Sequence, residues 1–310
     1  ITFMLEYENI MYGENVNSFF KYEMFRRNQK LKKAFYPMRN IDYINRKRNP
    51  YAIKKQNGEI RIVSVDISAV SGDANDNSVI TCARLLPISG GYERQVCYVE
   101  SYAGGTHTFH TLRIKQIFED FKADYIVLDV RNMGLYVYDE LGKITFDEER
   151  NKEHPAYTYC KYSENDKDLV DRTSNASGLP VIFGIKATAE LNSDIALSMR
   201  DVLQRNKIKF LMDQNKAERY LHRTIKEYKN SESPSIHNWF EMPYIETTLM
   251  INETVNLEHQ ISGNYIKLIK KSTARMDRYS SLSYMNYFAS ILEKDLDTSD
   301  SDYDFVFIHS

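Results

Sequence analysis

The stretch IRIVSVDI at residues 60–67 decides the fold that we predict for this chain. Its apolar residues are almost continuous, which is typical of a buried strand, yet it carries a carboxylate at Asp66. Two more apolar segments follow at residues 78–86 and 94–100, and short turns separate the three segments. Three strands joined in this way predict an antiparallel meander.

Helical and extended patterns alternate after the meander. Apolar residues recur at helical spacing around residues 109–121, 135–141 and 195–203, whereas residues 125–130 and 181–185 are short apolar runs typical of crossover strands. The order β-β-β-α-β-α-β-α therefore predicts an α/β protein with a ribonuclease H-like mixed sheet, an antiparallel meander plus crossover strands, flanked by helices.

The segments outside this centre have weaker patterns. We expect helical residues at 1–36, a linker at 37–59, a long loop at 142–180, strands at 208–212 and 265–269, and helices at 214–230, at 244–260 and from Asp277 or Arg278 past Leu292. The 310 residues allow about two domains. We divide them into the end of a preceding domain plus a basic linker at 1–50, a sheet domain at 51–292 and an acidic tail at 293–310.

The charge of the chain is balanced in total but uneven along its length. The 41 Lys and Arg residues against 43 Asp and Glu residues exclude a uniformly basic nucleic-acid coat. Residues 21–61 hold 13 Lys and Arg and 3 acids, a net charge of +10, and residues 293–304 hold 6 acids and 1 Lys, a net charge of −5. The basic segment is either an anion-facing surface or a solvated helix.

The cysteines and apolar runs narrow the class of protein further. The three cysteines, at positions 82, 97 and 160, form no CxxC pair and no zinc spacing, which favours a reduced compartment. No run approaches the ~18 apolar residues of a membrane span, so we expect no membrane association.

Three acids occupy the places where such a sheet concentrates function. Asp66 is near the end of the first strand, Asp129 closes the next crossover strand and Asp277 begins the last long helix. Ligand sites in open α/β sheets form at the carboxyl ends of strands, and a helix N-terminus favours a carboxylate. Each acid alone also fits a structural role in a turn or a helix cap, but together they predict one site.

The chemistry of clustered carboxylates points to metal ions. Like charges repel and raise the pKa values of neighbouring carboxyls. Two Mg²⁺ or Mn²⁺ ions about 3.5–4 Å apart would remove this repulsion, activate water and stabilise the leaving oxygen of a phosphodiester. Hard cations prefer oxygen ligands, and no Cys/His set competes here. We therefore predict that Asp66, Asp129 and Asp277 are the metal ligands and catalytic residues.

Several segments resemble the C-terminal nuclease domain of tailed-bacteriophage large terminase subunits, the DNA-packaging motor proteins. They are VDIS at 65–68 with DNSVI at 76–80, LDVRNMG at 128–134 with DEL at 139–141, LPVIFGIKA at 179–187 and MDRYSSL at 276–282. The last segment is the most specific, and the resemblance covers residues 60–290.

The resemblance implies a metal-dependent endonuclease that cuts concatemeric double-stranded viral DNA, with Asp66, Asp129 and Asp277 in the catalytic positions. It also implies an ATPase domain before the nuclease, and residues 1–36 resemble the end of such a domain. The implied partners are a portal and a small terminase subunit in the host cytoplasm. The chain has no GxxxxGK[ST] phosphate loop, so ATP-driven translocation is not expected of it.

Three further residues are auxiliary candidates. Asp76 either assists metal binding or forms a turn, and Lys186, which follows a strand, is placed to stabilise the scissile phosphate. Arg278, like Arg131, adjoins a proposed acid and pairs either with it or with DNA phosphate. No base-reading module is visible, so contacts between the basic segment and phosphates predict low sequence specificity.

Two other functions fit the same residues. A ribonuclease H-like junction resolvase or transposase-type enzyme would use the same acids on branched DNA. A non-catalytic module would use the basic segment to dock on DNA or on a portal ring, and its acids would only cap structural elements.

Overall fold

The computed structural model describes residues 17–68, 77–160, 166–173, 175, 177–271 and 275–297. Its strands are β1 Gln29–Leu31, β2 Ile60–Asp66, β3 Ser78–Ile88, β4 Gly91–Tyr102, β5 Tyr125–Asp129, β6 Thr145–Asp147, β7 Lys152–His154, β8 Tyr157–Tyr159, β9 Leu179–Ile185, β10 Ile208–Leu211, β11 Glu258–Ser262 and β12 Tyr265–Ile269. Its helices are α1 Tyr22–Arg26, α2 Asn40–Ile44, α3 His107–Phe121, α4 Met133–Leu141, α5 Lys167–Arg172, α6 Ala189–Gln204, α7 Gln214–Thr224, α8 Lys226–Asn230, α9 Pro234–Val255 and α10 Asp277–Asp297.

Eight strands form one mixed sheet in the order β1-β10-β4-β3-β2-β5-β9-β8. The central strands β2, β3 and β4 pair antiparallel, and β5 and β9 continue the sheet parallel to β2. The arrangement β4-β3-β2-β5-β9 is the antiparallel meander with crossover strands that the sequence predicts. The ribonuclease H-like fold class is therefore confirmed.

Helices cover both faces of the sheet because side chains alternate along each strand. Ile62 packs in a core with α6, α9 and α10, whereas its neighbours Val63 and Val65 pack in a second core with α3 and α4. Burial on both faces explains why residues 60–67 form a nearly continuous apolar run rather than an alternating one.

Local signals fix the helices that follow strands. The Thr106 hydroxyl accepts a hydrogen bond from the amide of Phe109 at the start of α3, and the Thr188 hydroxyl accepts one from Leu191 at the start of α6. Such caps satisfy amides that have no partner within the helix. Thr106 is thus the N-cap residue of α3.

Three segments differ from the prediction, and a fourth, β12, forms at the predicted residues 265–269 but outside the main sheet. Residues 142–180 hold three short strands and α5 in their described part, and β8 is a strand only because it pairs with β9. Helix α9 begins at Pro234, a residue suited to a first helical turn, and ends at Val255. Strand β12 pairs with β11 outside the main sheet, and the helix predicted at 214–230 is split into α7 and α8.

The N-terminal part of the described chain belongs to the same core. Residues 1–16 lie outside the described residues, and residues 17–36 form α1 and β1 rather than one helix. Phe20 and Phe25 pack in the core with α6 and α10, and β1 lies parallel to β10. The division of the chain at residues 50 and 292 stays a prediction. No helix in the described ranges is long and apolar enough to cross a membrane.

Candidate active site

The three predicted acids lie at one end of the central strands. Strands β2 and β5 are parallel neighbours in which Val65 pairs with Leu128, so the next residues, Asp66 and Asp129, end side by side. Asp277 is the first residue of α10, which packs across β2 and β3. The fold therefore brings together two strand ends and one helix start from distant parts of the sequence.

Hydrogen bonds between two serines hold α10 against β2. The Ser64 hydroxyl donates to the Ser281 carbonyl oxygen at 2.7 Å, and the Ser281 hydroxyl lies 2.9 Å from the Ser64 carbonyl oxygen. The Ser281 hydroxyl is also 2.8 Å from that of Thr81 on β3. These groups are buried, and small side chains let the helix approach the sheet closely, which places Asp277 one turn away at its end.

Helix α10 presents one face to the acids, since residues three and four apart lie together on a helix. Asp277 accepts a 2.7 Å hydrogen bond from the backbone amide of Asn77, and Tyr284 donates its hydroxyl to Asp129 at 3.3 Å. Ser280, between them on the same face, donates its hydroxyl to the Met276 carbonyl oxygen at 2.9 Å, and it lowers the pKa of Asp66.

The carboxylates repel one another in the protein without metal. Burial raises the pKa of Asp66 well above its usual range, and the charges of Asp277 and Asp129 raise it further. Ser280 acts in the opposite direction and does not offset them. Burial, with Asp66 and Asp129, also raises the pKa of Tyr284, so its hydroxyl stays protonated and serves as a donor.

Asp129 is held by an arginine two residues further along the chain. The Arg131 guanidinium contacts both carboxylate oxygens, with Nη2 at 2.8 Å from Oδ2 and Nε at 3.1 Å from Oδ1 and 3.2 Å from Oδ2. The Arg131 backbone amide donates to Oδ1 at 3.0 Å, and Nη1 donates to the Ala187 carbonyl oxygen at 2.5 Å. The carboxylate thus has a bidentate partner, the geometry in which charge-assisted hydrogen bonds are strongest.

A tight turn after β5 makes this pairing possible. Asn132 adopts a φ of 48°, in the left-handed region, and α4 starts at the next residue. A Cβ on Gly134 would lie 1.8 Å from the Asp129 carbonyl oxygen, so a side chain at this position would displace the strand end. The glycine of the LDVRNMG segment is therefore required by the close approach of α4 to β5.

Arg278 faces away from its neighbour Asp277. Its guanidinium is buried and pairs with Glu246 at 2.8 Å and Glu253 at 3.3 Å on α9, and it donates to the Ser101 hydroxyl at 3.0 Å. Burial raises the pKa of Glu253 to about 6, and Asp277 adds to the rise while Arg278 and the Tyr279 amide oppose it. The sequence leaves open whether Arg278 pairs with Asp277 or with DNA phosphate. Its described ion pairs are instead with two acids of α9.

The other two auxiliary candidates contribute less to the described site. Lys186 follows β9 and forms a salt bridge with Asp168 at 2.7 Å. Its side chain is 40% exposed, so it remains accessible from solvent near the strand ends. Asp76 lies outside the described residues.

The residue types at this site fit a hard divalent cation, because they supply carboxylate oxygens whose mutual repulsion a cation would relieve. Within the described ranges, no group of three Asp, Glu, His or Cys side chains lies close enough together to hold a metal ion. The contacts already given are consistent with this state, since Asp129 is paired with Arg131 and Asp277 accepts the Asn77 amide. Metal binding would require at least the Asp129 carboxylate to change partner.

Sequence reasoning missed Ser280, Tyr284 and Glu253 as members of this environment. The first two follow Asp277 at helical spacing, so the periodicity of α10 could have identified them. Glu253 has no such signal, because its proximity depends on how α9 packs against α10.

Comparisons with known proteins find similarity to solved structures. No protein-family model and no curated protein matches the sequence. Among solved structures, the chain is similar to the large terminase nuclease from thermophilic phage G20c with bound magnesium, with 12% identity, a TM-score of 0.45, and 88% of this chain and 98% of that chain covered.

Two other phages provide similar structures. One is a mutant nuclease domain of the large terminase subunit gp2 of bacterial virus Sf6 with manganese, with 7% identity, a TM-score of 0.41, and 88% and 98% of the two chains covered. The other is the HK97 bacteriophage large terminase, with 9% identity, a TM-score of 0.40, and 87% of this chain against 43% of that chain covered. These three structures are thus one large terminase and two large terminase nuclease domains.

Proposed function

We propose that this chain is a metal-dependent endonuclease of a viral genome-packaging terminase, which cuts concatemeric double-stranded DNA with low sequence specificity. The observation that supports this most directly is the grouping of Asp66, Asp129 and Asp277 at one end of the sheet, where Asp66 has a raised pKa. A stable fold gains nothing from this repulsion. A site that binds cations gains from it, because a bound cation relieves the repulsion and the free energy released favours binding.

The proposed ligands are Asp66, Asp129 and Asp277. Two Mg²⁺ or Mn²⁺ ions held there would supply charge neutralisation and an activated water for phosphodiester hydrolysis. The chain itself fixes the strand ends through the Ser64–Ser281 hydrogen bonds and orients Asp129 through the hydroxyl of Tyr284. In this proposal the metal activates the water, so no histidine base is needed.

The proposal includes the partners and the location that the sequence resemblance implies. Double-stranded DNA is the substrate, and an ATPase domain, a portal and a small terminase subunit are the partners in the intact protein, in the host cytoplasm. For DNA contacts, the basic segment offers exposed cations with no described partner, at Lys30, Lys32, Lys33, Arg46, Arg48 and Lys54. Contacts of this kind give affinity without sequence preference.

The test is cleavage of a supercoiled plasmid by the full chain with Mn²⁺, Mg²⁺ or EDTA. We expect nicked and linear products with metal, none with EDTA, and a loss of at least about a hundredfold in rate in Asp66→Asn and Asp277→Asn. The matched control is Asp201→Asn, which removes a carboxylate of a surface pair on α6 and should leave the rate unchanged.

The alternatives predict different results in the same assay. Cleavage restricted to branched DNA, with linear and supercoiled duplexes intact, would support the junction resolvase. Binding of duplex DNA without cleavage in either metal, by protein shown to be folded, would contradict the nuclease and support the docking module.

A further inference from the structure

The contact between Arg131 and Asp129 has a consequence for the order in which metal and DNA bind. Asp129 uses both carboxylate oxygens on Arg131, and one of them also accepts from Tyr284. A carboxylate whose oxygens are occupied in this way has little capacity left for a cation. In addition, the guanidinium repels a cation that approaches the same oxygens.

The guanidinium is nevertheless accessible to another anion, although its Nη1 also donates to the Ala187 carbonyl oxygen. The Arg131 side chain is 49% exposed, whereas that of Asp129 is only 16% exposed. Exposed ion pairs contribute little to stability, so exchanging this partner for another anion has a small cost. By contrast, the buried Arg278 has two carboxylate partners and a hydroxyl around it and cannot exchange in the same way.

Arg131 also lies at a cavity that could receive its new partner. The cavity has a volume of about 560 Å³, and its lining includes Arg131, Lys267 of β12 and Tyr284 of α10, together with apolar residues such as Ile195 and Leu268. Cations and hydroxyls favour an anion. The cavity adjoins Asp129, because Arg131 and Tyr284, which line the cavity, both contact this carboxylate.

A phosphodiester of the DNA backbone could replace the Asp129 carboxylate as the partner of Arg131. Guanidinium groups bind carboxylates and phosphates with the same bidentate geometry. We propose that Arg131 guards Asp129 in the free protein and transfers to a DNA phosphate at the cavity mouth, which releases Asp129 for metal binding. This inference rests on the proposed nuclease function, and it makes metal loading at Asp129 dependent on DNA.

The experiment measures Mn²⁺ binding to the full chain without DNA, by the loss of the free-ion electron paramagnetic resonance signal. We compare the unmodified chain with Arg131→Gln, Arg131→Lys and Asp129→Asn. If Arg131 guards Asp129, Arg131→Gln should bind Mn²⁺ about three- to tenfold more tightly. Arg131→Lys should be intermediate, since lysine keeps the charge but cannot cover both oxygens.

A nuclease-resistant phosphorothioate duplex supplies the second half of the test. Coupling between two ligands is reciprocal, so the duplex should tighten Mn²⁺ binding to the unmodified chain more than it does to Arg131→Gln. Lys216→Gln, which removes an exposed cation of α7 that does not line the cavity, should retain the full effect of the duplex.

The outcomes separate the guard from the nuclease. Equal Mn²⁺ affinities for the unmodified chain and Arg131→Gln, with weaker binding by Asp129→Asn, would overturn the guard and leave the metal site intact. An Arg131→Lys affinity equal to that of the unmodified chain would show that only charge matters, and it would also overturn the guard. If adding Asp129→Asn to Arg131→Gln leaves the tighter Mn²⁺ binding unchanged, the released carboxylate is not a ligand, and the proposed metal site fails and the guard with it.

Discussion

The acids at the two ends of strand β2 have opposite electrostatic surroundings. At its start, Glu59 lies between the guanidiniums of Arg61 and Arg84, at 2.6 Å and 2.7 Å, and all three side chains are buried. Burial alone would raise the pKa of Glu59, but hydrogen bonds from Arg84, from the Gln56 amide and from Arg61 outweigh it and lower the pKa. At its other end, Asp66 faces two more acids and its pKa is raised.

The comparison shows which end serves stability and which end is available for function. A carboxylate with complete hydrogen bonding and opposite charges is a structural element, because removing it leaves buried cations unpaired. A carboxylate that is repelled by its neighbours is tolerated only where something else, such as a ligand, benefits from it. Seven residues of one strand therefore connect a structural ion cluster to a candidate catalytic one.

The largest expected effect is at the structural end. Glu59→Gln should lower the free energy of unfolding by about 3–5 kcal/mol, because two buried guanidiniums lose their counter-charge. Urea denaturation measures this, and Glu232→Gln, at an exposed loop position, is the matched control with no expected change. A decrease in the free energy of unfolding below about 1 kcal/mol would mean that the ion cluster at Glu59 does not stabilise the fold more than the acids at the other end of β2 do.

The next effect concerns Glu253, whose pKa is raised from 4.5 to about 6. Between these values the folded protein keeps a proton that the unfolded chain releases, so the free energy of unfolding falls as pH rises from 4.5 to 6. The full fall from one such group is at most about 2 kcal/mol. Glu253→Gln should flatten this part of the stability profile, measured by urea denaturation at successive pH values. An unchanged slope would place the ionisation elsewhere.

A smaller effect is expected midway along β2. Ser281→Ala removes the hydroxyl that bridges Ser64 and Thr81, and it should cost about 1–2 kcal/mol because buried polar groups lose a partner. Since Asp277 lies on the same helix, the rate of plasmid cleavage should fall with it. Ser235→Ala, at an exposed position of α9, is the control. A destabilised protein with full cleavage activity would show that the two serines do not position Asp277.

The smallest effect has the opposite sign. Asp66→Asn removes one of three repelling carboxylates, so the metal-free protein should be more stable by on the order of 1 kcal/mol. Added Mn²⁺ should raise the melting temperature of the unmodified chain and not that of the variant, since ligands stabilise the state that binds them. If the metal-free variant is less stable than the unmodified chain, the contrast between the two ends of β2 is lost.

The sequence predicts the centre of this molecule better than its margins. Strand β2, the meander and the crossover strands are visible because each carries its own apolar pattern, and Asp66 and Asp129 are visible because they end such strands. The strand β8 and the partners Arg278, Glu246 and Glu253 are not, because each depends on a contact between distant segments. Arg131 is visible beside Asp129 in the sequence, but its contact with both carboxylate oxygens depends on the turn at Asn132.

The serine contacts between β2 and α10 also determine when the site can exist. Asp277 follows Asp66 by 277 − 66 = 211 residues, so a ribosome has made both strand-end acids long before the helix that carries the third. Until α10 emerges and docks, the nascent chain has no complete carboxylate set. Of the described elements, the one translated last therefore completes the candidate site.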